Sequence, residues 1–321
     1  MDAAAKAAWA AQAHDGRADA AGLAAQVKAG GSPEALRALA ALWLHAAVAR
    51  PERLAAVYDA SAAAWRGAPA GADPIALPDA APAPVTDAFW QAFWALIEDP
   101  AAGRDAGDIT LRTAALTGLV ASELKPRLAA AALAYPGVRE AVAQGYPAKF
   151  TLQALALAPP GSLGAEFHAL IVDNGFDLEV LDRDALGLAD MLPPLDYLNA
   201  RILQCHDLWH ILAGYRTTRL HEVAISAFQM AQFGHHYSSM FLAMVLARIG
   251  FERPEAGPLF LDTILSAWVH GRESPPLLGL DWPTLWVLPS DDIRRRIGLT
   301  PYASPWPADL FEQLKAVAPA A

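Results

Sequence analysis

A single cysteine, Cys205, stands in 321 residues, so no intrachain disulfide can form and a reducing compartment is the natural expectation. Cationic residues are also short, with 24 Lys and Arg against 34 Asp and Glu and a net charge of -10. No basic stripe is available to neutralise phosphates, and a nucleic-acid partner is not expected. No apolar run reaches about 18 residues, because His45, Arg50 and similar residues interrupt every candidate. A membrane-spanning helix is therefore not expected, and any membrane contact would be peripheral. The start, Met1 to Lys6, has neither the basic, apolar pattern of a secretory signal nor the arginines of a transit peptide. Alternating β-branched residues never persist beyond a few positions, and there is no Gly-rich phosphate loop, G-x-S-x-G elbow, CxxC pair or solenoid repeat.

What the chain has is alanine-rich helical pattern, with ten tryptophans to supply bulk. The expected fold is all-α. Residues 1–68 read as an Ala-rich helical extension, with helices near 33–49 and 51–66 separated by Arg50-Pro51. Residues 69–85, rich in Pro, Ala and Gly, read as a linker, 86–302 as the main helical domain, and 303–321 as a tail. Thr86 or Asp87 can cap a helix in which Phe89, Trp90, Phe93, Trp94 and Ile97 recur at helical spacing, a pattern that fits core better than a lipid-facing surface. Arg294-Arg295-Arg296 reads first as a solvated helix face, and otherwise as a contact for anionic lipid head groups.

The densest chemistry lies between Cys205 and Glu222. His206 and His210 are four apart and share one helix face, so both imidazoles can address one ion. Gly214 can end that helix in the left-handed conformation and reverse the chain, bringing Glu222 in from the first turns of a second helix. Two imidazoles and a carboxylate suit catalytic zinc with an open position, and also non-haem Fe(II). Asp207 is turned about 100° from the histidine face. Three roles are open to it: ligation from the flank, acceptance of an imidazole N–H, or positioning of a water. Cys205, turned likewise, reads as an inert buried thiol.

On these residues the chain resembles the coenzyme Q biosynthesis protein 4 family, whose signature is HDxxH, eleven residues, then E. The likeness extends to Pro160-Gly161-Ser162-Leu163-Gly164 with Phe167, to Asp196-Tyr197-Leu198, and to the Phe89 to Pro100 helix. Downstream it includes Ala267-Trp268-Val269-His270-Gly271-Arg272, Gly279-Leu280-Asp281-Trp282, and Arg294 to Leu299, as in a bacterial member carrying an N-terminal extension. Two departures stand out: His221 replaces the usual Gly before the signature glutamate, and Gln229 replaces a frequent second glutamate. Gln229 lies near Glu222 in helical angle, as does His236 if the helix lasts that far. His235-His236 replaces a Leu-Pro pair.

The resemblance implies a metal-binding helical domain with His206, Asp207, His210 and Glu222 as ligands, zinc as the first choice of ion and Fe(II) as the other. It implies a role in ubiquinone biosynthesis through C1 decarboxylation of a polyprenylated 4-hydroxybenzoate-derived intermediate, oxidative if the ion is iron. Asp207 is then the candidate for proton handling, and Arg272 the candidate partner for the substrate carboxylate. Implied partners are the polyprenylated lipid, other ubiquinone-biosynthesis proteins and, as an oligomer to test for, a homodimer. The implied location is cytoplasmic, peripheral to the inner membrane. Two other readings remain: a non-catalytic prenyl-lipid-binding scaffold with a closed, structural metal shell, and a metal-dependent hydrolase of the His-Asp type.

Overall fold

The computed structural model describes residues 2–30, 32–102, 106–179 and 181–317. Among the described residues there is no strand, and the expected all-α class is what is found. In chain order the α-helices are α1 (Ala3–Asp15), α2 (Ala20–Lys28), α3 (Pro33–Val48), α4 (Leu54–Arg66), α5 (Asp87–Ile97), α6 (Ala106–Gly118) and α7 (Leu124–Ala132). Next come α8 (Val138–Val142), α9 (Leu152–Ala156), α10 (Leu163–Asn174), α11 (Leu195–Ala213), α12 (Arg219–Phe233), α13 (His236–Glu252) and α14 (Gly257–Glu273). Three more close the chain: α15 (Trp282–Leu285), α16 (Ser290–Ile297) and α17 (Leu310–Val317). No helix among the described residues is long and apolar enough to cross a membrane.

Two compact units divide the chain, one formed by Met1–Ala132 with Ser226–Glu273 and the other by Leu133–Ile225 with Ser274–Ala321. The division follows spatial contacts, falls within α12, and does not coincide with the Pro-rich 69–85 stretch.

In the first unit, Ser32 caps α3 by accepting from the Ala35 amide, and Pro33 occupies a first-turn position where its missing N–H costs nothing. Leu36, Leu39 and Trp43 of α3 are fully buried, and α3 packs on α13. Trp43 stacks on Tyr58 at 4.2 Å between centroids, and Tyr58 meets Trp268 at 5.1 Å. The indole of Trp268 donates to Asp59 at 2.8 Å, so that ring is buried without stranding its N–H. Thr86 caps α5, and Phe89, Phe93, Trp94 and Ile97 are buried, with Phe93 and Trp94 against Trp9 and Trp94 against Phe251. This stripe is core, as its spacing suggested.

The second unit is organised on α11. Pro194, after a cis Pro193–Pro194 bond, precedes its first turn. Leu208, Trp209 and Leu212 are wholly buried. Residues from the second segment of this unit strap onto the helix: Arg201 donates to the carbonyls of Leu278 and Leu280, and the Trp282 indole donates to Cys205 Sγ at 3.0 Å. Gln204 donates to the Ala148 carbonyl at 2.6 Å. Ahead of α11, Ser162 caps α10, and the Leu163 and Gly164 amides donate to the Leu288 and Trp286 carbonyls. A Cβ on Gly164 would sit 2.7 Å from Ala158 Cβ and 3.0 Å from Trp286, so this approach requires glycine.

Candidate metal centre

Gly214 ends α11 with φ of +81°, the left-handed cap its position suggested. A Cβ there would also meet Pro301 Cβ at 2.9 Å, so conformation and packing both demand glycine. The last carbonyls of α11 are satisfied by Arg294, whose guanidinium donates to Ile211 at 2.6 Å and Leu212 at 2.9 Å, and by the Tyr302 amide donating to Ala213. Arg294 is thus a helix-end clamp, while Arg295 pairs with Asp292 beside it. The chain turns through Tyr215 to Thr218 and enters α12, with Glu222 in the first turn.

That geometry brings three of the four expected ligands together. The Nε2 atoms of His206 and His210 are 3.2 Å apart, His206 Nε2 is 3.3 Å from Glu222 Oε2, and His210 Nε2 is 3.3 Å from Glu222 Oε1. His210 is almost completely buried, whereas 39% of the Glu222 side chain is exposed, so the cluster has one protein-facing and one open side. Asp207 is buried but lies outside this cluster. It still acts electrostatically on its neighbour. Burial is the largest single influence on His206 and opposes its charging, but the Glu222 hydrogen bond and charge, helped by Asp207, outweigh it and raise its pKa. Burial likewise pushes the Glu222 carboxyl up, yet the two imidazoles outweigh it and hold the group far below the usual carboxylate range.

Proton accounting shows what this donor set suits. Nδ1 of His210 faces the Tyr215 carbonyl at 3.2 Å, and a carbonyl only accepts, so Nδ1 carries the proton and Nε2 of the neutral ring presents a lone pair. That lone pair, one Glu222 carboxylate oxygen and one His206 nitrogen lie within 4.8 Å of one another. Donors about 2.0–2.1 Å from a zinc ion define tetrahedral edges of roughly 3.3–3.4 Å, close to the spacings found. The residues present fit a divalent cation.

The other sequence candidates fall elsewhere. Arg272 is buried in the first unit, with Nε 3.3 Å from Asp59 Oδ1 and a second nitrogen donating to the Asp73 carbonyl at 2.6 Å. Gly271 beside it gives clearance to Phe228 and Ala231, whose atoms a Cβ would meet at 2.8 and 2.7 Å. Gln229, also in the first unit, lies 3.4 Å from the Ser238 hydroxyl. Gly234 breaks the helix after Phe233, so His236 opens α13 and does not continue the α12 periodicity. Cys205 is buried, and loss of hydration pushes its thiol up to about 11, an inert thiol as expected. Sequence reasoning did not find Tyr215 and Tyr302, whose stacked rings (4.5 Å) brace the turn after Gly214. The Tyr215 contribution to His210 is a backbone carbonyl, for which the residue type gives no signal.

An all-α protein with a two-histidine, one-carboxylate cluster at a helix-turn-helix is the class that fold and site define. The family model for "Coenzyme Q (ubiquinone) biosynthesis protein Coq4" matches residues 146–303, a span that contains the cluster and the turn that shapes it. Over this segment, just under half of its length, the chain is similar to the coenzyme Q biosynthesis protein 4 family. A mitochondrial ubiquinone biosynthesis protein COQ4 homolog from Drosophila ananassae is 30% identical over 146 residues, covering 44% of this chain and 52% of that protein. The corresponding protein from Mus musculus is 26% identical over 152 residues, covering 47% and 54%. The chain therefore spans about half the length of these curated relatives. A crystal structure described as a candidate ubiquinone biosynthesis protein from Nostoc punctiforme superposes with a TM-score of 0.51 at 21% identity. It covers 67% of this chain and 98% of that one, and the likeness is one of fold.

Proposed function

We propose that this protein acts in ubiquinone biosynthesis as a metal-dependent carboxy-lyase, removing the C1 carboxyl group from a polyprenylated 4-hydroxybenzoate-derived ring. The observation that carries the reading is the convergence of His206, His210 and Glu222 within the segment that the family model matches. When bound there, a divalent cation, zinc or Fe(II), supplies Lewis-acid stabilisation of negative charge on a substrate oxygen. His206 and His210 offer Nε2, Glu222 offers its carboxylate, and the Tyr215 carbonyl keeps the His210 tautomer fixed. Asp207, once it has taken up a proton, delivers it to ring carbon C1 and returns to the carboxylate; the bond from C1 to the substrate carboxylate breaks, its electron pair returns to the ring, and CO2 leaves. Arg272 has no part at the ring in this reading, because Asp59 and the Asp73 carbonyl engage its guanidinium.

A second reading has its own support. Most of the exposed large apolar side chains belong to the second unit, among them Leu157 (83% exposed), Val287 (58%), Val172 (54%), Leu192 and Leu186. Such a surface suits a prenyl-lipid-binding scaffold that gathers other biosynthetic enzymes at the cytoplasmic side of a membrane, without catalysis. One assay separates the two: CO2 release and the decarboxylated lipid are measured with purified protein, supplied metal and a polyprenylated hydroxybenzoate substrate. Turnover that disappears in His206→Ala and Asp207→Asn supports catalysis. Lipid retention without turnover in the wild type supports the scaffold.

A further inference from the structure

His221 is 97% shielded and sits beside the carboxylate ligand on α12. Its Nδ1 accepts the Arg216 backbone N–H at 2.8 Å. Accepting there, the neutral ring must carry its proton on Nε2, a buried atom without a hydrogen-bond partner. Burying that N–H unsatisfied is unfavourable. The ring is held edge-on between two others, 5.9 Å from Tyr215 and 5.7 Å from Tyr302. The amide it grips, Arg216 N–H, belongs to the same peptide as the Tyr215 carbonyl, the group that receives His210 Nδ1–H.

One rigid peptide unit is therefore held at both ends, by His221 at its N–H and by His210 at its C=O. We infer that His221 is a positioning residue of the metal centre: by fixing the Tyr215–Arg216 peptide, it aims the Tyr215 carbonyl at His210 and so sets the orientation and tautomer of that ligand. This rests on the metal-binding reading of His206, His210 and Glu222. It also accounts for an otherwise unfavourable histidine, since its Nδ1 supplies the acceptor for the Arg216 amide. The ligand-bearing helix and the carboxylate-bearing helix become linked through a side chain that touches neither the ion's position nor the open side of the cluster.

The test uses the full-length protein and four forms: wild type, His221→Ala, His221→Leu and His221→Asn. Leucine restores bulk without an acceptor, and Asn Oδ1 lies the same number of bonds from Cα as His Nδ1. Zinc affinity is read by competition with a chromogenic chelator, and the ligand field by the visible spectrum of the cobalt-substituted protein. Loss of an outer partner of a ligating histidine weakens metal binding by roughly 10–100-fold, which is the drop expected for Ala and Leu. Asn is expected to restore affinity to within a few-fold of wild type and to restore the cobalt spectrum, although it too loses the ring packing that thermal unfolding reports. If Ala fails to fold, Leu against Asn carries the same comparison. Wild-type affinity in Leu, or an Asn variant as weak as Leu, overturns the inference while leaving the metal centre intact. A wild type that takes up no zinc removes the metal centre itself, and the inference with it.

Discussion

Lowering the pH from 7 to 4.5 should destabilise this protein through His236, and the size of the effect can be worked out in advance. His236 opens α13 in the first unit, with a buried Nε2 that has no partner. Burial, opposed by a hydrogen bond to the Ala47 backbone, brings its pKa down to about 4. An unfolded histidine titrates near 6.5, so between the two values the unfolded chain binds the extra proton and folding loses ground as pH falls. The contribution is fully present above pH ~6.5 and is lost as pH drops through ~4. At 1.36 kcal/mol for each pH unit of that gap, the ceiling is about 3 kcal/mol, enough to remove a large part of a typical domain's stability. His45 is shifted the same way, chiefly by burial, so the comparison must be internal. Urea unfolding of wild type and His236→Gln at several pH values isolates the group, because Gln can keep a bond to the Ala47 carbonyl but does not titrate. The stability difference between the two should be flat above pH 7 and should change by up to ~3 kcal/mol toward pH 4. Parallel curves across the whole range would refute the reasoning.

Gly214→Ala forces a left-handed conformation on alanine and drives its Cβ against Pro301, so a loss of about 2–3 kcal/mol is expected in denaturant unfolding, with weakened metal uptake. The buried Cys205 thiol, with its pKa near 11, should not react with a thiol reagent at pH 8 until the protein is unfolded; rapid native labelling would contradict its burial. Arg272→Ala removes the charge partner of Asp59, which keeps only the Trp268 indole, leaves the Asp73 carbonyl without this donor, and should lower stability by about 3 kcal/mol. A variant of unchanged stability with only a raised KM would instead restore Arg272 to the substrate.

Local rules made much of this fold legible. Ser32, Thr86 and Ser162 each accept an amide three residues on, and Gly175 and Gly214 end helices in the left-handed region, all from residue type and position. The same logic placed His206 and His210 on one face and delivered Glu222 to them. Contacts distant in sequence were not legible. Nothing in Arg294 announces that it will bond carbonyls more than eighty residues earlier, so a clamp read as a solvated charge. The condition on which His236 would have shared the Glu222 face, that the helix last that far, is not met: Gly234, with its positive φ, breaks the run. His221 was visible as a departure from the family pattern that the sequence resembles, but its purpose depends on a peptide orientation that only coordinates supply.

Elemental analysis of wild-type protein and His210→Ala, purified from metal-supplemented medium, tests the central claim most directly. The account predicts one tightly held divalent metal per chain in the wild type and its loss in a variant that still unfolds cooperatively. A metal-free wild type, or an unchanged metal content after His210 is removed, would contradict it.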